Sequence, residues 1–177
     1  MIEISIQEQD YFLPEDGNQA EQTFLDLLNN PGETWICAFG FTLQPMFDAI
    51  KKADAAGVKI HILLDHSQST GRAESPKVKD LVASLKNGDV TITTAGANSG
   101  APSQIWHWKG LVVSEPQGAP NCWEGSTNFS ASAWNQGNSA RLFKNQEWAQ
   151  VFVNQFNVHR AWARENEPQY QLAEPRP

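Results

Sequence analysis

Two apolar stretches constrain this chain more than anything else in it. Trp35-Ile36-Cys37-Ala38-Phe39-Gly40-Phe41 is a nearly continuous apolar run, and Val58 to Leu64 is a second one of strand length. A strand of this kind is buried on both faces, as in a sheet covered by helices on either side. The intervening residues fit that arrangement. A helix is expected from about Gln44 to Ala56, closed by Gly57, and another from Gly17-Asn18 to about Asn30, stopped by Pro31-Gly32.

The same alternation continues. Ser75-Pro76 begins a helix that runs to about Asn87, with Ser at the cap and Pro in the first turn. Strands are expected at Ile2 to Ile6, at Val90 to Thr93, at Ile105 to Val113, at Asn121 to Asn128 and at Ala140 to Phe143, with Tyr11 to Pro14 as a short extended piece. A closing amphipathic helix, Glu147 to about Arg164, has Trp148, Val151, Phe152, Phe156 and Trp162 on its expected buried face. The fold class that follows is α/β, a mixed and mostly parallel sheet flanked by helices on both faces. With 177 residues the chain fits one domain, placed at 1–165, with a loose Pro-rich tail at 166–177.

The formal charge of −7 counts against a protein that coats nucleic acid through bulk positive charge, while leaving room for a locally basic cleft. No apolar run approaches the length of a membrane span, and the N-terminus lacks a basic region followed by an apolar stretch, which points to the cytoplasm. Cys37 and Cys122 are the only cysteines and read as buried free thiols. Two Cys with no His at ligand spacing make no zinc site, so no metal and no cofactor are expected.

The chemistry concentrates in His107-Trp108-Lys109 and in Gly125-Ser126-Thr127-Asn128. On a strand, His107 and Lys109 share one face and Trp106 and Trp108 the other. An imidazole beside a fixed ammonium suits attack on a phosphate ester. The plain alternative is a strand whose polar face meets solvent. For Trp106, Trp108, Trp123 and Trp134 the choice lies between packing, in the core or at a dimer interface, and a stacking platform for bases. His61 is expected in the core and His66 at a turn, with His159 on the surface or in packing.

At these residues the sequence resembles the phospholipase D superfamily, whose signature is His-x-Lys followed by Gly-Ser-x-Asn. The resemblance extends over nearly the whole chain, through Tyr11 to Pro14, Gly57-Val58-Lys59 and Leu64-Asp65. It implies a metal-independent phosphodiesterase in which His107 forms a phosphohistidine. Lys109 and Asn128 would be catalytic with it, and Gly125 and Ser126 would bind substrate. Because one copy of the motif supplies one His, the resemblance implies a homodimer that pairs two His107. Small members of this layout look like nucleases, which makes nucleic acid the expected substrate, without stable membrane association. A phospholipid headgroup hydrolase and a catalytically weak phosphate-binding dimer are the rival readings.

Two family carboxylates are absent. Ser114 stands where an Asp is expected, with Glu115 beside it as a partial substitute. Ser139 stands where a Glu would orient the His, and Glu124, two residues before Ser126, is the candidate replacement. Ser139 and Glu124 are therefore placed with the substrate-binding residues.

Overall fold

The computed structural model describes residues 8–96 and 104–172; the strand expected at Ile2 to Ile6 lies outside them. Among the described residues seven strands form one sheet in the order β1-β7-β6-β5-β2-β3-β4. They are β1 (Gln9–Phe12), β2 (Thr34–Ala38), β3 (Ile60–Asp65), β4 (Asp89–Thr93), β5 (Gly110–Val113), β6 (Asn121–Gly125) and β7 (Ser139–Lys144). The helices are α1 (Gly17–Leu27), α2 (Gln44–Ala55), α3 (His66–Ser69), α4 (Ser75–Ser84) and α5 (Gln146–Asn166).

The mixed α/β class holds, with one correction. Only β2–β3 and β3–β4 pair in parallel, and the other pairings among described strands are antiparallel. The reason is local. Helical crossovers join β2, β3 and β4, whereas Pro116, Gly118 and Pro120 permit a direct reversal between β5 and β6.

Strand parity explains the two layers of core. Ile36, Ala38, Ile62, Leu64, Leu111, Val113 and Trp123 face α1, α2 and α4. Their neighbours Cys37, Leu63, Val112, Cys122 and Phe143 face α5, through Ala149, Phe152 and Phe156, together with Trp106. Both cysteines are free and buried, as expected.

Phe24 of α1 is the hub of the first layer. Its ring lies 5.3 Å from Trp123, 5.5 Å from Trp134 and 4.7 Å from Phe129. Trp134 therefore packs in the core and stacks on no substrate.

On the second layer, α5 starts at Asn145, whose side chain accepts from the Trp148 N–H at 2.8 Å. Residues 166–172, assigned by sequence to a tail, are held on β4. Glu167 accepts from the Thr93 hydroxyl at 3.1 Å, and the Gln171 side chain bonds both the N–H and the carbonyl of Ile92. Val151, expected on the buried face of α5, is exposed and faces an open cleft that Phe12 of β1 and Arg141 of β7 also line.

His61 also differs from expectation. It sits at the start of β3 between two carboxylates, with Nδ1 2.6 Å from Asp89 and Nε2 2.8 Å from Glu33, while Arg160 and Arg164 of α5 close on Asp89. Burial pulls its pKa down, but the bonds to Asp89 and Glu33 outweigh this and hold it above the ordinary value. This charged cluster ties α5 to the sheet at the end remote from the motif residues.

Candidate active site

Register places the motif residues at one edge. β2 and β3 run parallel and end at Ala38 and Asp65. β5 begins antiparallel to β2 at the pair Cys37↔Gly110, and β6 ends at Gly125, opposite Ala140 of β7. The segments Phe39-Gly40, His107 to Lys109 and Gly125 to Asn128 therefore meet beyond the carboxyl ends of the parallel strands, where ligands of α/β sheets bind.

The strand expected from Ile105 begins only at Gly110. Its neighbours β2 and β6 stop at Ala38 and Gly125, so residues 105–109 extend past the ends of both described ladders. A side chain takes over instead: Asp65 Oδ1 accepts from the Trp106 N–H at 2.8 Å, while Oδ2 caps α3 through the Gln68 N–H at 3.0 Å. Without a ladder, strict alternation lapses. Trp106 is buried and His107 exposed, as parity expected, but Lys109 is only 7% exposed and Trp108 is 40% exposed.

Phe39 brings His107 and Lys109 together. Its ring lies 4.7 Å from the imidazole and 5.2 Å from Lys109 Nζ, and the same Nζ donates to the His107 carbonyl at 2.8 Å. Burial lowers the Lys109 pKa. No carboxylate among the described residues pairs with this ammonium, so an anion entering here meets an unneutralised charge.

Asn128 reaches the same place from β6. Its Oδ1 accepts from the Gly40 N–H at 3.2 Å, which leaves its amide N–H groups for another acceptor. Ser126 is less available than the sequence implied. Its hydroxyl donates to Asn138 Oδ1 at 3.0 Å and accepts from the Ser139 N–H at 3.0 Å, tying the Gly-Ser-x-Asn turn to β7. Gly125 is required for that approach, since a Cβ there would fall 2.2 Å from the Ser139 carbonyl oxygen.

The two proposed stand-ins for the orienting Glu do not reach the nucleophile. Ser139 engages Ser126 through its main chain. Glu124 sits on β6 in register with Gly110 and Arg141 and lines a cleft that His107 also lines. The His107 imidazole makes no hydrogen bond with either. Glu115, the candidate substitute at the Ser114 step, is at the opposite end of β5 and binds the Asn121 side chain.

Sequence reasoning missed the buried supports of the site. Besides Asp65, Glu74 is 3% exposed and holds the Phe41 N–H at 2.9 Å and the Ser69 hydroxyl at 3.2 Å. A carboxylate in loop-like sequence gave no sign of this; only its distance in space from Phe41 does. Burial raises its pKa from the ordinary 4.5 to about 7. The native group thus keeps its proton where the unfolded one has lost it, so stability falls as pH rises from 4.5 through about 7. Urea denaturation across that window should show the decline, and Glu74→Gln should flatten it. His159 supports from below, with its ring 4.7 Å from Trp106. His66 opens α3 and packs its ring against Tyr170 at 3.9 Å.

The cleft beside His107 encloses about 700 Å³ between α5 and the exposed face of β1, β7 and β6. No group of three or more His, Cys, Asp or Glu among the described residues is arranged to hold a metal ion. No helix among them is long and apolar enough to cross a membrane.

Residues 24–162 match a protein-family model described as cardiolipin synthase, PLD-like domain. Among solved structures, NucT from Helicobacter pylori aligns with a TM-score of 0.75 at 17% identity, covering 88% of this chain and 96% of its own. Nuc from Salmonella typhimurium, a phospholipase D family member, aligns with a TM-score of 0.68 at 21% identity, covering 88% and 94%. TrmBL2, an archaeal chromatin protein with a described mode of DNA binding, aligns at 0.57 and 17% identity, over 93% of this chain and 55% of its own. A search of curated proteins gives no match.

Proposed function

The chain belongs to the PLD-like family whose model spans residues 24–162, and from that membership we propose a phosphodiesterase, acting on nucleic acid, whose active site is shared by two copies of the chain. The observation that carries this reading is the placement of His107 and Lys109 against one ring, Phe39, with Asn128 bound to the adjoining Gly40.

In the first step, the neutral His107 imidazole attacks phosphorus, a P–N bond forms and the P–O bond to the leaving alcohol breaks. The second subunit's imidazolium gives that alkoxide its proton. Water then attacks the phosphohistidine, returning its proton to the second imidazole and restoring His107. Splitting the displacement in this way lowers each barrier. Lys109 and the Asn128 amide donate to the non-bridging oxygens as charge builds on them. Ser126 holds the turn that carries Asn128. The proposal treats 1–165 as the catalytic domain.

The test is cleavage of single- and double-stranded DNA and RNA in chelator, with the oligomer resolved by size. Activity should persist in chelator and run with a dimer; full activity in a strict monomer overturns the shared site. Lys109→Ala should lower kcat by about 10²- to 10³-fold, the usual cost of losing one preorganised charge donor. The description of the matching family model favours a second reading, a phospholipid substrate, so vesicles of anionic phospholipid form a parallel arm of the same assay.

A further inference from the structure

Beside the candidate nucleophile lies a cleft with two unlike surfaces. Its wall is aromatic. Trp108 is 40% exposed, with its ring backed by Trp106 at 4.9 Å and by Phe152 at 5.7 Å, and Phe152 is backed in turn by Trp148 at 5.2 Å. Phe12, 65% exposed, comes from β1 to line the same cleft.

The floor is polar. Cross-strand register sets Asp10, Arg141 and Glu124 side by side on β1, β7 and β6. Arg141 stacks on Phe143, which belongs to the α5 layer, so this row lies on the same sheet face as the cleft. Arg141 makes a long 3.5 Å contact to Glu8, and its buried Nε has no partner among the described residues.

We propose that this cleft takes one nucleobase of a single-stranded nucleic acid, the base next to the scissile phosphate, stacked on Trp108 and Phe12 with its edge on the Asp10–Arg141–Glu124 row. The proposal rests on the phosphodiesterase reading, because His107 and Lys109 stand at the same cleft. A base has an apolar face and an edge of donors and acceptors, which matches one wall and one floor. An acyl chain does not match. It would strip water from two carboxylates and a guanidinium and return no hydrogen bonds. A volume of about 700 Å³ is in the range of small-ligand sites and ample for a nucleoside. A base held in a duplex cannot offer its face, so the cleft selects single strands. Carboxylates accept only, so bases with an exocyclic amine, such as cytosine, should fit better than thymine.

The experiment compares two oligonucleotides, one intact and one with a single abasic residue beside the cleaved phosphate. For the wild type, kcat/KM should be about 10- to 100-fold higher on the intact strand, the range for one base–aromatic stack. In Trp108→Ala that ratio should collapse toward unity, and Phe12→Ala should reduce it in part. Binding is read separately with His107→Ala: an intact oligocytidylate should quench tryptophan fluorescence, and the abasic chain should not. A ratio unchanged in Trp108→Ala overturns the inference, as does dissociation of a dimer by that substitution, which would make the cleft a subunit contact. Cleavage confined to phospholipid vesicles overturns it as well. Failure of the parent reading has its own signature, cleavage of both strands that survives loss of His107.

Discussion

Replacing His107 with Ala is expected to lower phosphodiester cleavage by at least about 10³-fold, since both the covalent path and proton delivery pass through this imidazole. The sharper result comes from mixing. If two His107 side chains build one site, a mixed dimer has a single imidazole and is inactive. Activity then follows the square of the wild-type fraction, so equal amounts of wild-type and His107→Ala subunits, fully exchanged, retain about a quarter of the activity. A site complete within one chain would retain about half. The proportion separates the two arrangements without any structure of the dimer. It also bears on the absent orienting carboxylate: among the described residues no side chain hydrogen-bonds the His107 ring, which packs on Phe39.

Phe24→Ala should remove about 3–5 kcal/mol of folding stability, the usual cost of emptying an aromatic site in a core. Phe24 is fully buried against Trp123, Trp134 and Phe129, none of which has room to swing in and fill the space without losing its other contacts. Domains of this size hold about 5–15 kcal/mol in total, so the variant would lie close to unfolding at body temperature. Urea denaturation with tryptophan fluorescence reads the loss directly. Function should decline beyond the change in folded fraction, because Phe129 follows Asn128. The Phe129 main chain bridges to the segment between β2 and α2, donating to the Gly40 carbonyl at 3.0 Å and accepting from the N–H groups of Thr42 and Leu43. A loosened Phe129 moves the amide that is proposed to hold the phosphate.

How legible this was in the sequence depended on the scale of the interaction. The buried strands at Trp35 and Val58 and the helix that Ser75-Pro76 starts could be read because local period and turn residues agree with the tertiary result. The direction of β5 to β7 could not, since pairing partners are set by connection geometry and not by the apolar pattern. His107 and Lys109 were found through their motif, but their alternation assumed a ladder that ends at Gly110. His61 looks like a core residue in a one-dimensional pattern; its partners Glu33, Asp89 and Arg160 come from three other parts of the chain. Asp65 and Glu74 are similar cases, each a buried acceptor for a main-chain N–H more than thirty residues away. Period alone puts Val151 on a packed face, and the sequence leaves Trp108 between packing and a stacking platform; both line an open cleft.

Among the described helices α5 is the one that covers the second sheet face, which has a consequence for biosynthesis. Cys37, Leu63 and Val112 belong to strands made before the helix that shields them, which starts only at Gln146. At about 5–20 residues per second, the ribosome needs on the order of ten seconds to travel from β2 to the end of α5. During that interval the nascent sheet presents one greasy side with no cover, and β1 waits for β7 to pair with it. The emerging chain is thus most prone to aggregate at a definable moment, after β5 to β7 are made and before α5 is complete.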